Sequence, residues 1–223
     1  MILKKIYLSW RHGHGGRRFL VGVFSRENSS SDIIEFKYQQ EEVLKAQKKG
    51  FYNYPEFPEI DKVYKTNIKT ALILRLMPKS RVDRKSYLSF WNADNDNYDW
   101  FDELGFTQGK LATDTFEFLA EFPKRFNGKG TGFVTDIASL SHNKLNANNV
   151  QLGDRLRFEM ESNNKFDPNA IKLFKNDILL GYVKRGHNLF FKKIKNEEVN
   201  IIITNIEKKN DYIDKIYFLV KVL

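Results

Sequence analysis

The chain has 223 residues, with 37 Lys+Arg against 28 Asp+Glu for a formal net charge of +9, 41% hydrophobic residues and no cysteine. That composition excludes a disulfide framework and any Cys-based zinc or iron–sulfur site, and it is globular rather than disordered. The length allows one large domain or two small ones, and no apolar run approaches the ~20 residues of a membrane span, so no transmembrane segment is expected.

In chain order, Ile2–Trp10, Phe19–Ser25 and Ile33–Tyr38 alternate with a period near two and read as three strands of an antiparallel meander. Lys4 and Lys5 interrupt the first apolar residues at once, unlike a signal peptide; with no cysteine, this predicts a cytoplasmic protein. Glu41–Lys49 is predicted helical and stopped by Gly50, and the prolines at 55 and 58 forbid regular structure. Asn67–Leu76 is a second predicted helix. Arg81–Trp91 is a third, with Val82, Leu88 and Trp91 on one face, and Trp100–Leu104 a fourth, ending at Gly105. Arg75, Arg81 and Arg84 read as helix-surface charges, and Asp114–Phe122 as a strand with Phe116, Phe118 and Ala120 on one side.

Pro123 to Gly132, with three glycines among ten residues, interrupts all periodicity and sets the expected boundary between domains 1–125 and 126–223. The second part reads as mostly β: Gly132–Leu140, Arg155–Glu161, Ala170–Lys175, Ile178–Val183, Val199–Ile206 and Lys215–Val222, with one helix over Asn188–Lys195. Six short strands suggest a small barrel. The expected fold class is therefore α+β: an N-terminal antiparallel sheet with helices, then a small OB-like barrel with one helix.

The second part has a distinctive order of elements. Gly153-Asp154-Arg155-Leu156 starts a strand, Asn163-Asn164-Lys165-Phe166-Asp167-Pro168-Asn169 closes on Ala170-Ile171, and Gly181-Tyr182-Val183-Lys184-Arg185 follows. This resembles the HIRAN domain over roughly residues 130–223. The resemblance implies a DNA-binding module for single-stranded DNA or DNA 3′ ends. It gives Phe166 a stacking role, makes Asp167 a hydroxyl acceptor and places Tyr182 near the terminal nucleotide. Asn164 belongs to the same loop. Lys184, Arg185 and Lys192, with Lys193 and Lys195, supply five bases and no acid between 184 and 195, suited to phosphates.

Each residue also has a structural reading: Asp167 closing an Asx-turn, Phe166 and Tyr182 packing in the core, Asn164 and Asn169 holding the loop, the basic run a solvated helix face. Where the end-binding branch carries an Arg-Tyr pair, this chain has Thr135-Asp136-Ile137-Ala138-Ser139-Leu140, and Asp136 is expected to repel phosphate there. His142 and His187 have no companion at metal-ligand spacing.

In the first part, His12-Gly13-His14-Gly15-Gly16 reads as a hairpin turn rather than a metal site or phosphate cradle, because a strand and not a helix follows it. Arg11, Arg17 and Arg18 around it would extend a cationic surface. The series Val21–Arg26, Ile33–Tyr38 and Ala71–Arg84 resembles the N-terminal subdomain of HipA-type toxin kinases, although Leu76-Met77-Pro78-Lys79-Ser80 lacks the Glu-Gly of that family's loop.

No nucleophile, metal or nucleotide motif for catalysis emerges, so the expected protein is not an enzyme and needs no cofactor. Asp94, Asp96, Asp99, Asp102 and Glu103 fail EF-hand spacing and read as a solvated acidic loop, with a nuclease using it as the least favoured reading. The leading expectation is a DNA-binding protein of repair or phage defence. Its alternative is a protein-interaction regulator, antitoxin-like or an accessory subunit, that docks on a separately encoded effector protein such as a kinase, nuclease or helicase.

Overall fold

Alternation and turn chemistry at the start of the chain do produce a meander. In the computed structural model, which describes residues 3–13, 15–27, 33–124, 132–140, 149–209 and 212–223, the chain divides into two compact units, Met1–Phe122 and Pro123–Leu223. His14, His142, most of the linker preceding Ile33 and most of the Gly-rich break at 125–131 lie outside the described residues.

In the first unit, β1 (Lys5–Arg11), β2 (Arg18–Arg26) and β3 (Ile34–Tyr38) are joined by β4 (Phe116–Ala120) in an antiparallel sheet of order β3-β2-β1-β4. Phe24, Phe36, Phe57 and Phe118 pack on this sheet, with the Phe24 and Phe36 rings stacked 4.4 Å apart. The helices are α1 (Gln40–Gln47), α2 (Ile68–Leu72), α3 (Arg84–Phe90) and α4 (Trp100–Thr107).

Three expectations about helices need correction. The second helix breaks after Leu72 into a 3-10 turn, Ile73–Arg75. Val82 precedes α3 rather than lining its inner face, and is fully exposed. The fourth helix passes through Gly105, where a Cβ would lie 2.4 Å from Leu3 Cδ1, and ends instead at Gln108 in the left-handed region (φ +63). Here glycine serves close packing and not termination.

Several charges are buried, among them Arg75 and Asp102, which read as surface features in the sequence. The Arg26 guanidinium donates to Leu3 O (2.6 Å), Asp99 Oδ2 (2.6 Å) and Asp102 Oδ1 (2.9 Å), and lies 4.9 Å above the Phe101 ring. Asp99 and Asp102 also form a capping box at the start of α4. Arg75 is likewise buried, held by both Asp114 oxygens and donating to Tyr54 Oη (3.0 Å) and Gly109 O (3.2 Å). Arg84 forks onto Glu103 at 2.9 and 2.6 Å, and Arg18 pairs with buried Glu117 on β4, so both faces of that strand are covered. The acidic stretch is thus in large part a set of internal counter-ions.

The second unit contains β5 (Gly132–Asp136), β6 (Arg155–Glu161), β7 (Ala170–Lys175), β8 (Ile178–Tyr182), α5 (Asn188–Phe191), β9 (Val199–Lys209) and β10 (Tyr212–Val222). All its pairings are antiparallel, in the order β5-β10-β9-β6-β7-β8. The first strand stops at Asp136 rather than Leu140, and the helix is a single turn. Among the described residues the six strands do not form a closed barrel. Ala138, just past β5, nevertheless exchanges two backbone hydrogen bonds with Tyr182 at the far edge (2.7 and 2.9 Å).

Gly181 permits that contact, since a Cβ there would lie 2.6 Å from Ala138 O. The Gly153-Asp154 pair has a similar local logic. Gly153 takes φ +84, and the Asp154 carboxylate accepts from Gln151 N–H (2.7 Å) and pairs with Lys175 (2.6 Å). Phe133, Leu173, Phe190, Phe191, Ile216 and Phe218 fill the interior.

Candidate nucleic-acid interface

Between β6 and β7 the chain runs through Ser162 to Asn169, and its own side chains fix its shape. Asn164 Oδ1 accepts from the N–H groups of Phe166 (2.9 Å) and Asp167 (3.1 Å), while its Nδ2 donates to Glu161 Oε2 (2.6 Å). Asp167 Oδ1 accepts from Asn169 N–H (2.9 Å), the Asx-turn geometry that an Asp-Pro-Asn sequence favours. Asp167 Oδ2 accepts from Asn188 Nδ2 (2.7 Å), which also donates to the Asn169 carbonyl (2.9 Å). Lys192 Nζ completes the clamp on Asn169 Oδ1 (2.7 Å). The loop is therefore tied to α5 and the residue after it by three hydrogen bonds from two side chains.

This clamp presents Phe166 outward at 68% exposure. An aromatic ring on a backbone whose amides are already satisfied is a stacking platform prepared in advance, because little conformational freedom remains to be lost on binding. Lys165 precedes it, exposed, and Lys192, Lys193 and Lys195 are exposed just after α5. Arg185 is partly exposed.

Tyr182 is half-buried, and its hydroxyl donates to Glu161 Oε2 (3.1 Å). Glu161 also pairs with Lys172 (2.6 Å), so one carboxylate gathers β6, β7, β8 and the loop. The Asn164 amide and the Lys172 ammonium, with the Tyr182 hydroxyl, hold the Glu161 carboxyl below the usual carboxylate range. A lowered folded-state pKa means stability present above the unfolded value of ~4.3 and lost as pH falls through the folded one. The Glu161 carboxyl carbon is expected to titrate below that value by NMR, with Asn164 amide shifts following the same midpoint. A midpoint at or above it would show that the hub does not form.

Lys184 requires the main correction. Its side chain is 0% exposed and its ammonium pairs with Asp136, so it cannot reach a phosphate without unfolding its surroundings. The same pair neutralises Asp136, removing the expected repulsion. His187 is also buried, with Nδ1 2.9 Å from Thr135 Oγ1. The structure thus brings Asn164, Phe166, Asp167, Tyr182 and Lys192 into one neighbourhood, but with Asn164 and Asp167 as scaffold and Phe166 as the presented group.

Sequence reasoning missed Lys165, Glu161 and Asn188. Lys165 was legible from its place inside the loop. Asn188 gave a weaker signal, an amide at the first residue of a predicted helix, where its partner twenty-one positions earlier in the chain cannot be read. Among the described residues, no group of three or more His, Asp or Glu side chains is arranged to hold a metal ion.

No protein-family profile and no curated protein matches the sequence. Two solved structures are similar over a part of the chain. One is a structural-genomics protein from Lactobacillus plantarum, at 15% identity and TM-score 0.33, covering 41% of this chain and 95% of that one. The other is the HIRAN domain of human HLTF, at 14% identity and TM-score 0.31, covering 40% of this chain and 74% of that one. Overlap this shallow carries no inference by itself. The resemblance of the N-terminal part to HipA-type kinases gains no support from either structure.

Proposed function

We propose that the chain is a DNA-binding protein whose second unit, a HIRAN-like module closed toward a small barrel by the Ala138–Tyr182 bridge, takes single-stranded DNA or a DNA 3′ end on the Phe166 loop. The observation that carries this reading is the exposed Phe166 on a loop fixed by Asn164, Asp167 and Asn188. A base stacks on the ring, and two exposed lysines, Lys165 in the loop and Lys192 bonded to it at Asn169, supply cations for the flanking phosphates. Asp167 keeps acceptor capacity beyond its two present bonds, because each carboxylate oxygen has two lone pairs.

Fluorescence anisotropy of oligonucleotides ending in a 3′-hydroxyl, a 3′-phosphate or a duplex, over a salt series, tests the proposal. Phe166→Ala is expected to weaken binding by about 1–3 kcal/mol, the worth of one stacked base, without changing the melting temperature. Discrimination against the 3′-phosphate supports end reading. Affinity that follows salt alone reduces the interaction to cationic attraction, and no binding at low salt rejects a DNA ligand. Asp167→Ala is a poor probe because it dismantles the loop as well as removing an acceptor.

A further inference from the structure

The first unit holds a groove of about 1130 Å³ beside α2, the 3-10 turn and the start of α4. Ile73, Leu74, Leu76, Met77, Pro78 and Trp100 give it an apolar wall, and Leu74 is 84% exposed. An apolar residue held this far out on a short helical turn buries little of itself within its own unit.

The charges around the groove are unequal. Its two carboxylates are already engaged, Asp99 by Arg26 and Glu103 by Arg84. Lys65 pairs with Glu35, but Lys69 and Lys79 have no ion-pair partner among the described residues. An occupant must cover the apolar wall and place anions beside two lysine ammoniums. A nucleic-acid strand fits poorly, since a polyanion needs a continuous cationic track. The volume lies at or beyond the upper end for small-molecule pockets, and Leu74 on its wall is left exposed.

We infer that this groove docks an acidic amphipathic helix of a partner protein, with aliphatic side chains at i, i+3/i+4 and i+7 on the Ile73–Pro78 wall and flanking carboxylates on Lys69 and Lys79. Trp100 reports occupancy, because it lines the groove whereas Trp10 and Trp91 are buried.

The probe is a synthetic helix of about 15 residues, long enough to form its turns, with leucines at the anchor positions and glutamates elsewhere. Titrated into the full chain, it is expected to give a saturable blue shift of Trp100 emission that Trp100→Phe abolishes. Leu74→Asp, at an exposed position that leaves the fold intact, is expected to weaken binding about tenfold. The double reversal Lys69→Glu with Lys79→Glu weakens the glutamate peptide and strengthens its lysine counterpart. Equal binding of a scrambled peptide, indifference to Leu74→Asp, displacement by an oligonucleotide, or no shift at all would overturn the inference.

Discussion

Replacing Arg26 by methionine is expected to destabilise the first unit by about 3–5 kcal/mol, seen as a lowered chemical-denaturation midpoint with loss of α4 helicity. Methionine conserves most of the length of the side chain but no donors. It takes the Arg26 counter-ion from Asp102, fully buried, leaving that carboxylate backbone donors such as Leu3 N–H (2.7 Å), and removes the direct tie from β2 to the capping box of α4 and to Leu3 O. The size of the effect comes from the buried carboxylate that loses its guanidinium more than from the lost bonds, since breaking a buried ion pair from one side is costlier than having no pair. Arg26→Met combined with Asp102→Asn should therefore recover part of the loss. A single variant as stable as the parent would show that these charges are solvated.

That network also shows where local reading stops. The strands β1–β3 and β6–β8 were legible because alternation, glycine and Asx chemistry act over a few residues, and β6 and β7 match their predicted bounds. Arg26 and Arg75 were not, because a cation's burial depends on carboxylates seventy-odd and thirty-nine positions away, which no window of sequence pairs. The candidate interface divides along the same line. The Asn164–Asn169 loop announced itself through its own hydrogen-bonding residues, whereas Lys184 counted as one more base in a basic run. Its neighbours Val183 and Gly186 gave no sign that the strand end turns inward toward Asp136. Gly105 misled in the opposite direction, since a glycine required for contact with Leu3 looks in sequence like a helix stop.

The contrast between Lys184 and Lys192 yields the second large effect and separates folding from binding. Lys184→Met is expected to cost about 3–5 kcal/mol of stability in the second unit, because Asp136 remains buried after its partner is lost. Asp136→Asn in the same chain should restore part of it. DNA affinity, measured well below the melting transition, should then change little. Lys192→Ala should do the reverse: it removes one exposed hydrogen bond, to Asn169 Oδ1, so the melting temperature falls little, while the slope of log K against log salt falls by about one, the signature of a lost phosphate contact. A stable Lys184→Met chain with a reduced salt slope would mean that this lysine faces the nucleic acid.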